Sequence, residues 1–499
     1  MTEKDLEIAE DRGGYQPLGV DHRYTKFGSE QQNQDWLGKD QTWFGHALSE
    51  IKSVSLAKCW IRATPILNML TGFLCMFITD GVMFTFPHNR HVLMEDTKRP
   101  PNLKAAGSLQ LIVFSLSGPI AVQLCQKFGC RSVCIGGAFL AAFGFLLAGN
   151  MVDASGLFGG LAVLVGVGMS FIFMSSLLSM IDNESKHRFL ALGLSLSGII
   201  LARISFPAFL TNMVEESGWR YAYQSLAVVF VFFVFLLCLL SGPGMRNLGE
   251  EAASESFDSV GHLHKRSLVI ECIVGKKLAR SRKLTEFVIA CVGHAIAATA
   301  ANIILVHKPV IEEYLGLEVQ RSLLNIGFLI GGLMGLVFAG TSNDRSWFNP
   351  LSLTRNVVSC SAISPFLHTT SETAATTFIL SAFFGFFTGL YIGLYLPLII
   401  SLLGPDLLPS GLAFITAVSG ACQLILYIIV DESVDLSANP FTGFYTSGLL
   451  FGSAGLFYSV AIWLDEQKGQ EQGMELEPLH VSYQSLLVQE RRQADYEAI

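Results

Sequence analysis

Residues 375–400 read ATTFILSAFFGFFTGLYIGLYLPLII and contain no charged side chain. A helix needs about 20 apolar residues to cross the hydrocarbon core of a membrane, so this stretch predicts a transmembrane helix. Similar apolar stretches occur along most of the chain. The further predicted spans are 66–87, 105–126, 132–150, 157–181, 189–211, 221–241, 284–306, 321–341, 354–369, 412–431 and 441–464.

The overall composition agrees with a membrane protein of many spans. Of the 499 residues, 51% are hydrophobic and only 15% are charged, whereas soluble domains carry about a quarter charged residues. This argues against a soluble enzyme and a disordered scaffold. The net charge of −8 argues against nucleic acid as a partner, because nucleic acid requires a basic face. The expected partners are therefore the lipid bilayer and a small molecule.

The sequence lacks the common signatures of enzymes. It contains no Walker loop, dinucleotide fingerprint, HExxH string or nucleophile elbow. Its ten cysteines form no CxxC pair and show no metal-ligand spacing. We therefore predict a protein that is not an enzyme, with no catalytic residues, no cofactor and no metal site.

A polar stretch divides the predicted spans into two sets of six. Such a division is typical of transporters that are built from two related halves. We therefore predict an all-α polytopic membrane protein whose twelve transmembrane helices form two six-helix bundles. Its predicted parts are an N-terminal tail 1–58, a first bundle 59–241, a central loop 242–283, a second bundle 284–464 and a C-terminal tail 465–499.

Positive charges predict the orientation in the membrane. If the amino terminus is cytoplasmic, the inner loops carry more than twice as many Lys and Arg residues as the outer loops. Cytoplasmic loops are enriched in these residues, so we expect both termini and the central loop in the cytoplasm. The plasma membrane is the default location for such a chain.

Short motifs stand at the ends of several spans. Phe128-Gly129-Cys130-Arg131 follows span two, His187-Arg188-Phe189-Leu190-Ala191-Leu192-Gly193 opens span five, and Gly218-Trp219-Arg220 precedes span six. Span ten contains Phe383-Phe384-Gly385-Phe386. In this order, over roughly 60–465, they resemble the monocarboxylate transporter family of the major facilitator superfamily. The resemblance implies the major facilitator fold and identifies the chain as a divergent member of the family. Some relatives use a single-span accessory subunit, so such a subunit is a further expected partner.

The sequence departs from this family at places that matter for function. Proton-coupled members carry an Asp and an Arg four residues apart in span eight, and the matching positions here are Ile330 and Met334. A family Lys at the outer end of span one is replaced by His88. The resemblance supports the fold and a transport role, whereas these departures argue against simple symport of a proton with lactate.

Two charges lie within predicted spans, Asp80 in span one and Arg203 in span five. A charge in the hydrocarbon region is costly, so it is rarely present without a partner or a task. The resemblance implies that spans one and five are neighbours, and we expect the two side chains to pair beside a central cavity. In one hypothesis Arg203 binds a substrate carboxylate. Asp80 then releases Arg203 when the substrate binds, or it accepts a proton. In the other, the pair only ties two helices together.

Three further residues are candidates for the same cavity. His88 could titrate near neutral pH at the outer mouth, or it could be an ordinary interfacial residue. His294 is a lone histidine within span seven, and Asn302 lies two turns further along the same span. Each could bind substrate, although a histidine inside a membrane span more often hydrogen-bonds a neighbouring helix.

Basic residues near the inner ends of spans are expected to hold helices together. Lys127, Arg131 and Arg188 could hydrogen-bond carbonyl groups at helix ends. Small residues in spans eight and ten predict a close approach of helices that must rock during transport. These are Gly332, Gly335, Gly385 and Gly389.

The combined prediction is a secondary transporter that moves a small organic solute by alternating access. The solute we expect is an organic anion with a carboxylate group, with a proton as a possible second substrate. One alternative is facilitated transport of a neutral or zwitterionic metabolite such as an amino acid. Another is a membrane receptor or scaffold that acts through its long tails.

Overall fold

A computed structural model gives the fold and places the helices around a central cavity. The structure describes residues 66–83, 104–150, 158–181, 188–240, 283–314, 316, 321–345, 347–370, 373–436, 439 and 441–467. All of these residues belong to one compact unit, 63–499. His88, the predicted tail 1–58 and almost all of the predicted loop 242–283 lie outside the described residues.

The described residues form twelve consecutive helices. Ten are long and apolar enough to cross a membrane, and α6 and the two-part α9 complete the set. The first six are α1 (Ile66–Met83), α2 (Lys104–Phe128), α3 (Cys130–Asn150), α4 (a π-helical Phe158–Val165 and an α-helical Gly166–Ile181), α5 (Arg188–Ser217) and α6 (Trp219–Leu240). The second six are α7 (Leu284–Tyr314), α8 (Arg321–Asp344), α9 (Pro350–Ser361 and Ile363–His368), α10 (Ala374–Leu403), α11 (Leu408–Leu436) and α12 (Thr442–Gln467). The predicted all-helical fold with twelve spans is confirmed.

Two glycines end helices at sharp turns. Gly129 and Gly218 have φ angles of 81° and 82°, in the left-handed region that a residue with a Cβ enters only with strain. Their backbone N–H groups donate to the carbonyls of Cys125 and Val214, at 2.9 Å each. This arrangement satisfies carbonyl groups at a helix end and allows α3 and α6 to start at once.

The ninth span is broken in the middle. Its first segment ends at Ser361, and Ile363 starts the second. Pro365 has no N–H to bond the carbonyl of residue 361, and its ring crowds that carbonyl, so a regular helix cannot run through this point. The sequence predicted this span to be the weakest of the twelve, for the same reason.

Helix contacts repeat when six is added to each helix number. α2 packs on α4, and α8 packs on α10 in the same way. The halves meet along two seams, α5 with α8 and α2 with α11, and each seam becomes the other under the same shift. The structure therefore shows the internal repeat that sequence identity alone does not reveal.

Glycines bring α8 and α10 into backbone contact. A Cβ at Gly335 would meet the carbonyl oxygen of Phe386, and one at Gly389 would meet the carbonyl oxygen of Gly332. A Cβ at Gly385 would likewise meet the backbone of Phe328. The predicted close helix approach is present at Gly335, Gly385 and Gly389, whereas a Cβ at Gly332 would meet Ile200 of α5.

Candidate functional site

A cavity of about 190 Å³ lies between the two halves of the chain. One water molecule needs on the order of 10–15 Å³, so the cavity has room for a small organic solute. Three residues from each of seven helices line it, with α1, α2, α4 and α5 on one side and α7, α10 and α11 on the other. Apolar and aromatic side chains, such as Phe114, Phe173 and Ile199, cover much of its wall.

Asp80 and Arg203 form a two-point ion pair in this wall. The Nε–H of Arg203 donates to Asp80 Oδ2 at 2.8 Å, and Nη2 donates to Oδ1 at 3.2 Å. The side chain of Arg203 is 11% exposed and that of Asp80 is 14% exposed. The helices that carry them touch, since a Cβ at Gly198 of α5 would meet the carbonyl oxygen of Phe73 in α1. Helices α1 and α5 are therefore neighbours, and Asp80 pairs with Arg203, as predicted.

The ion pair sets the charge of the cavity. Among the described residues that line it, Asp80 and Arg203 are the only Asp, Glu, Lys or Arg side chains. The lining is therefore electrically neutral when this pair is ionised. Hydrogen bonds and charges act strongly in such a weakly polar wall, so any charge brought by a solute must be balanced there.

The part of the wall formed by α7 and α10 carries a histidine that contacts two tyrosines. The hydroxyl of Tyr391 lies 2.6 Å from His294 Nδ1 and donates to the backbone carbonyl of His294 at 3.0 Å. The imidazole ring stacks on Tyr391, with ring centres 5.3 Å apart, and packs against Tyr395 at 4.9 Å. All three residues line the cavity, and the contacts fix the orientation of the imidazole.

One face of α7 supplies the neighbouring part of the wall. His294, Ala298 and Asn302 all line the cavity, as expected for residues at i, i+4 and i+8 on a helix. Both candidates that the sequence placed in span seven therefore reach the same cavity as Asp80 and Arg203. The predicted substrate-binding role of all four stays a prediction.

A hydrogen bond between the two halves forms another part of the lining. Ser115 of α2 donates to Gln423 Oε1 of α11 at 3.0 Å, and both are buried. Next to it, a Cβ at Gly118 would meet the side chain of Thr416, and one at Gly420 would meet Leu116. The α2–α11 seam is therefore closely packed beside the cavity.

Span eight contributes no residue to the lining among the described residues. Ile330 and Met334, the positions that the resemblance predicts to match the charged pair of proton-coupled family members, are 49% and 61% exposed. Apolar side chains suit these exposed positions on a membrane helix. The charged groups of this cavity come from spans one and five instead.

The basic residues predicted at the inner helix ends make local contacts. The ammonium of Lys127 lies 5.3 Å from the ring centre of Phe128, and the guanidinium of Arg188 lies 4.8 Å from that of Phe189. These contacts join chain neighbours. The wider role predicted for Lys127, Arg131 and Arg188 in holding helices together stays a prediction.

Sequence reasoning missed several residues that the structure brings to the cavity or to the seams. Tyr391 and Tyr395 carry hydroxyl groups one turn apart in an apolar span, and this spacing is the signal that could have indicated them. Gln423, a buried amide within span eleven, gave a similar signal. Asp344 of α8 accepts hydrogen bonds from the backbone N–H groups of Phe189 and Leu190 in α5. It was missed because it stands at the end of its span, where a charge is expected to be solvated.

Comparison with known proteins supports the same conclusion. The family model described as Major Facilitator Superfamily matches residues 68–427. Monocarboxylate transporter 3 of Gallus gallus is 27% identical over 177 residues, which are 34% of this chain and 32% of the relative. Monocarboxylate transporter 11 of Homo sapiens is 30% identical over 122 residues, 24% of this chain and 26% of the relative. The matched regions thus span about a third or less of these relatives.

Solved structures of transporters share the fold. The proton:xylose symporter XylE is 16% identical, with a TM-score of 0.58 over 80% of this chain and 95% of XylE. The human organic anion transporter MFSD10 is 10% identical, with a TM-score of 0.57 over 79% of this chain and 99% of MFSD10. The long apolar helices and the family match identify a multi-pass membrane protein, and the relatives and solved structures named above are transporters rather than enzymes. The chain belongs to the major facilitator superfamily, as a divergent member that resembles the monocarboxylate transporters.

Proposed function

We propose that this protein carries a small organic anion with a carboxylate group across the membrane by alternating access. The pairing of Arg203 with Asp80 in the wall of the cavity is the observation that supports it most. A guanidinium binds a carboxylate through two parallel hydrogen bonds, and Arg203 already holds a carboxylate in this way. A substrate carboxylate would take the place of Asp80.

Charge balance favours the uptake of a proton with this anion. The lining of the cavity is neutral while Asp80 and Arg203 are both ionised. When an anion displaces Asp80 from Arg203, two negative groups face one positive group, and a proton on Asp80 restores neutrality. Proton symport through Asp80 therefore requires neither of the charged residues that relatives carry in span eight.

A zwitterionic solute, such as an amino acid, is the second candidate. Its ammonium group would bind Asp80 while its carboxylate bound Arg203. The cavity would then stay neutral without a proton, which is the feature of the lining that favours this candidate. The two candidates differ in one measurable quantity, which is the number of protons moved with each solute.

Uptake into proteoliposomes that contain the purified full chain tests the role of Arg203. The solutes would be a panel of labelled monocarboxylates, amino acids and neutral metabolites. We expect Arg203→Ala to abolish carboxylate uptake and Arg203→Lys to lower it at least tenfold, because an ammonium cannot form the two-point fork. Arg355→Lys is the matched control, since Arg355 contacts its chain neighbour Asn356 and does not line the cavity.

A charge exchange separates substrate binding from a purely structural pair. The double variant Asp80→Arg with Arg203→Asp keeps an ion pair between α1 and α5 but moves the guanidinium to the other helix. We expect folded protein at normal levels that does not transport carboxylates. Normal transport by this double variant, or by Arg203→Lys, would show that the pair only ties the helices together.

The remaining parts of the proposal concern the cell. The plasma membrane as the location, cytoplasmic termini and a single-span accessory subunit stay predictions. A receptor or scaffold role would require the tails, so deletion of 1–58 and 468–499 should leave solute uptake largely intact if transport is the function.

A further inference from the structure

A second cavity, of about 340 Å³, lies at the ends of four helices in the second half of the chain. Its lining includes residues 347–351, which lead from α8 into α9, and Ser401 and Leu402 in the last turn of α10. Lys283, directly before α7, and Asp465, in the last turn of α12, also line it. No described residue lines both this cavity and the central one. We propose that the second cavity binds the headgroup of a phospholipid that carries a phosphate and a primary ammonium group, as phosphatidylethanolamine does.

The cavity presents one positive and one negative group. Among the described residues that line it, Lys283 and Asp465 are the only charged side chains. The ammonium of Lys283 lies 2.7 Å from Asp465 Oδ1, and the two side chains are 44% and 24% exposed, respectively. An ion pair this exposed adds little to stability, so a ligand that binds both groups can separate them at a small cost.

A zwitterionic headgroup matches both charges. Its phosphate accepts hydrogen bonds from the ammonium of Lys283, and its own ammonium donates to the carboxylate of Asp465. The lining then stays neutral in the complex. A choline headgroup has the same phosphate, but its trimethylammonium group has no N–H to donate. A glycerol headgroup has no positive charge, so it leaves Asp465 without a partner.

The position of the cavity favours a lipid over a dissolved solute. Its lining residues lie at or beside the ends of transmembrane helices, where the headgroups of a bilayer are found. Trp347 and Phe348 in the lining are half-exposed, and tryptophan is enriched at this depth of a membrane. The guanidinium of Arg345 lies 5.0 Å from the ring centre of Trp347 and adds a positive charge that favours a phosphate. Since these helix ends are predicted to be cytoplasmic, the lipid belongs to the inner leaflet.

Lipid binding to the purified full chain in detergent tests the proposal. We would add phosphatidylethanolamine, phosphatidylcholine or phosphatidylglycerol with identical acyl chains, and follow the bound lipid by native mass spectrometry as its concentration rises. We expect the wild type to bind phosphatidylethanolamine about tenfold more tightly than phosphatidylcholine, because choline loses a hydrogen bond to a charged group. Glycerophosphoethanolamine, which has the same headgroup without acyl chains, should compete only weakly.

Two variants separate lipid recognition from a purely structural ion pair. Asp465→Asn should lower the affinity for phosphatidylethanolamine about tenfold and leave that for phosphatidylcholine unchanged. Lys283→Gln should weaken the binding of both lipids, since both contain the phosphate. Asp406→Asn and Lys127→Gln are the matched controls, because these exposed residues carry the same charges at predicted cytoplasmic helix ends and do not line this cavity. The preference is a ratio of two affinities in one preparation, so a lower yield of folded variant does not change it.

Each outcome bears on the proposal alone, because no step of solute transport enters it. A preference that is lost in Asp465→Asn and kept in Asp406→Asn supports it, even if Lys283→Gln does not fold. Equal binding of the three lipids by the wild type, tighter binding of phosphatidylglycerol, or a preference that survives Asp465→Asn overturns it. Glycerophosphoethanolamine that binds as tightly as the intact lipid would identify a dissolved ligand and overturn the assignment to a lipid.

Discussion

Asp344, in the last turn of α8, accepts a hydrogen bond of 3.0 Å from the backbone N–H of Leu190 in the first turn of α5. Its other carboxylate oxygen accepts the N–H of Phe189 at the same distance. The first N–H groups of a helix have no partner within the helix, and they carry its partial positive charge. One carboxylate of the second half therefore caps a helix of the first half, at the end predicted to face the cytoplasm.

Removal of this cap should loosen the predicted cytoplasmic end of the α5–α8 seam. Alternating access requires the halves to separate there, and each hydrogen bond to a charged group contributes about 1.5–3 kcal/mol. We expect Asp344→Ala to raise amide hydrogen exchange at residues 189–190 at least tenfold. Asp406→Ala is the control, since Asp406 is exposed between α10 and α11. Unchanged exchange in Asp344→Ala would contradict a closing role for this carboxylate.

The Ser115–Gln423 hydrogen bond should couple α2 to α11. Ser115→Ala leaves the amide oxygen of Gln423 buried without its donor, at a cost of about 1–3 kcal/mol. Gln423→Leu removes both partners of the bond when it is combined with Ser115→Ala. A double-mutant cycle on thermal unfolding should therefore give a coupling of about 1 kcal/mol. Strictly additive effects would mean that this bond does not hold the seam.

Alanine at the contact of α8 with α10 should be destabilising. A Cβ at Gly389 or Gly335 meets backbone atoms of the other helix, which cannot rotate away, so we expect losses of about 1–3 kcal/mol in thermal unfolding of the purified protein. Gly136→Ala is the control, because a Cβ at Gly136 meets nothing within 4 Å. Equal stability of the two kinds of variant would argue against close packing here.

The pH dependence of uptake tests the proposed role of Asp80. If a proton binds together with the anion, substrate affinity rises as the external pH falls, since binding then consumes a proton. We expect carboxylate uptake to be faster at pH 6 than at pH 7.5, and Asp80→Asn to be nearly insensitive to the same change. A full acid response in Asp80→Asn would place the proton elsewhere. No acid response in the wild type would favour the zwitterionic candidate.

Most of the fold could be predicted from the sequence because the spans are long and apolar. The predicted ends of span ten, 375–400, differ from those of α10 by one and three residues. The interruption of span nine was visible in Pro365, since proline acts on local backbone geometry. The packing of helices was less accessible, because neither the two seams nor the internal repeat leaves a pattern within any single span.

The candidate site was predictable where it contains charged side chains, because a charge is costly to place inside a membrane span. Asp80 and Arg203 stood out because a charge inside a span needs a partner, and their pairing followed from one assumed helix neighbourhood. The His294–Tyr391 contact joins residues 97 positions apart, and a neutral tyrosine inside an apolar span costs little enough to escape notice. Which face of each helix meets the cavity depends on the packing of all twelve.

The backbone contact between α8 and α10 has a mechanical meaning. Gly331 lies against the backbone of Ala382, as Gly335 lies against that of Phe386, so the two helices are in direct backbone contact at these glycines. In the proposed transport cycle we therefore expect α8 and α10 to move together as one rigid pair. Asp344 stands at the end of α8 and Tyr391 lies in α10, so the release of α5 by Asp344 would also move the aromatic side chains around His294. The predicted cytoplasmic end of the protein would then open in the same movement that weakens the contacts to the solute.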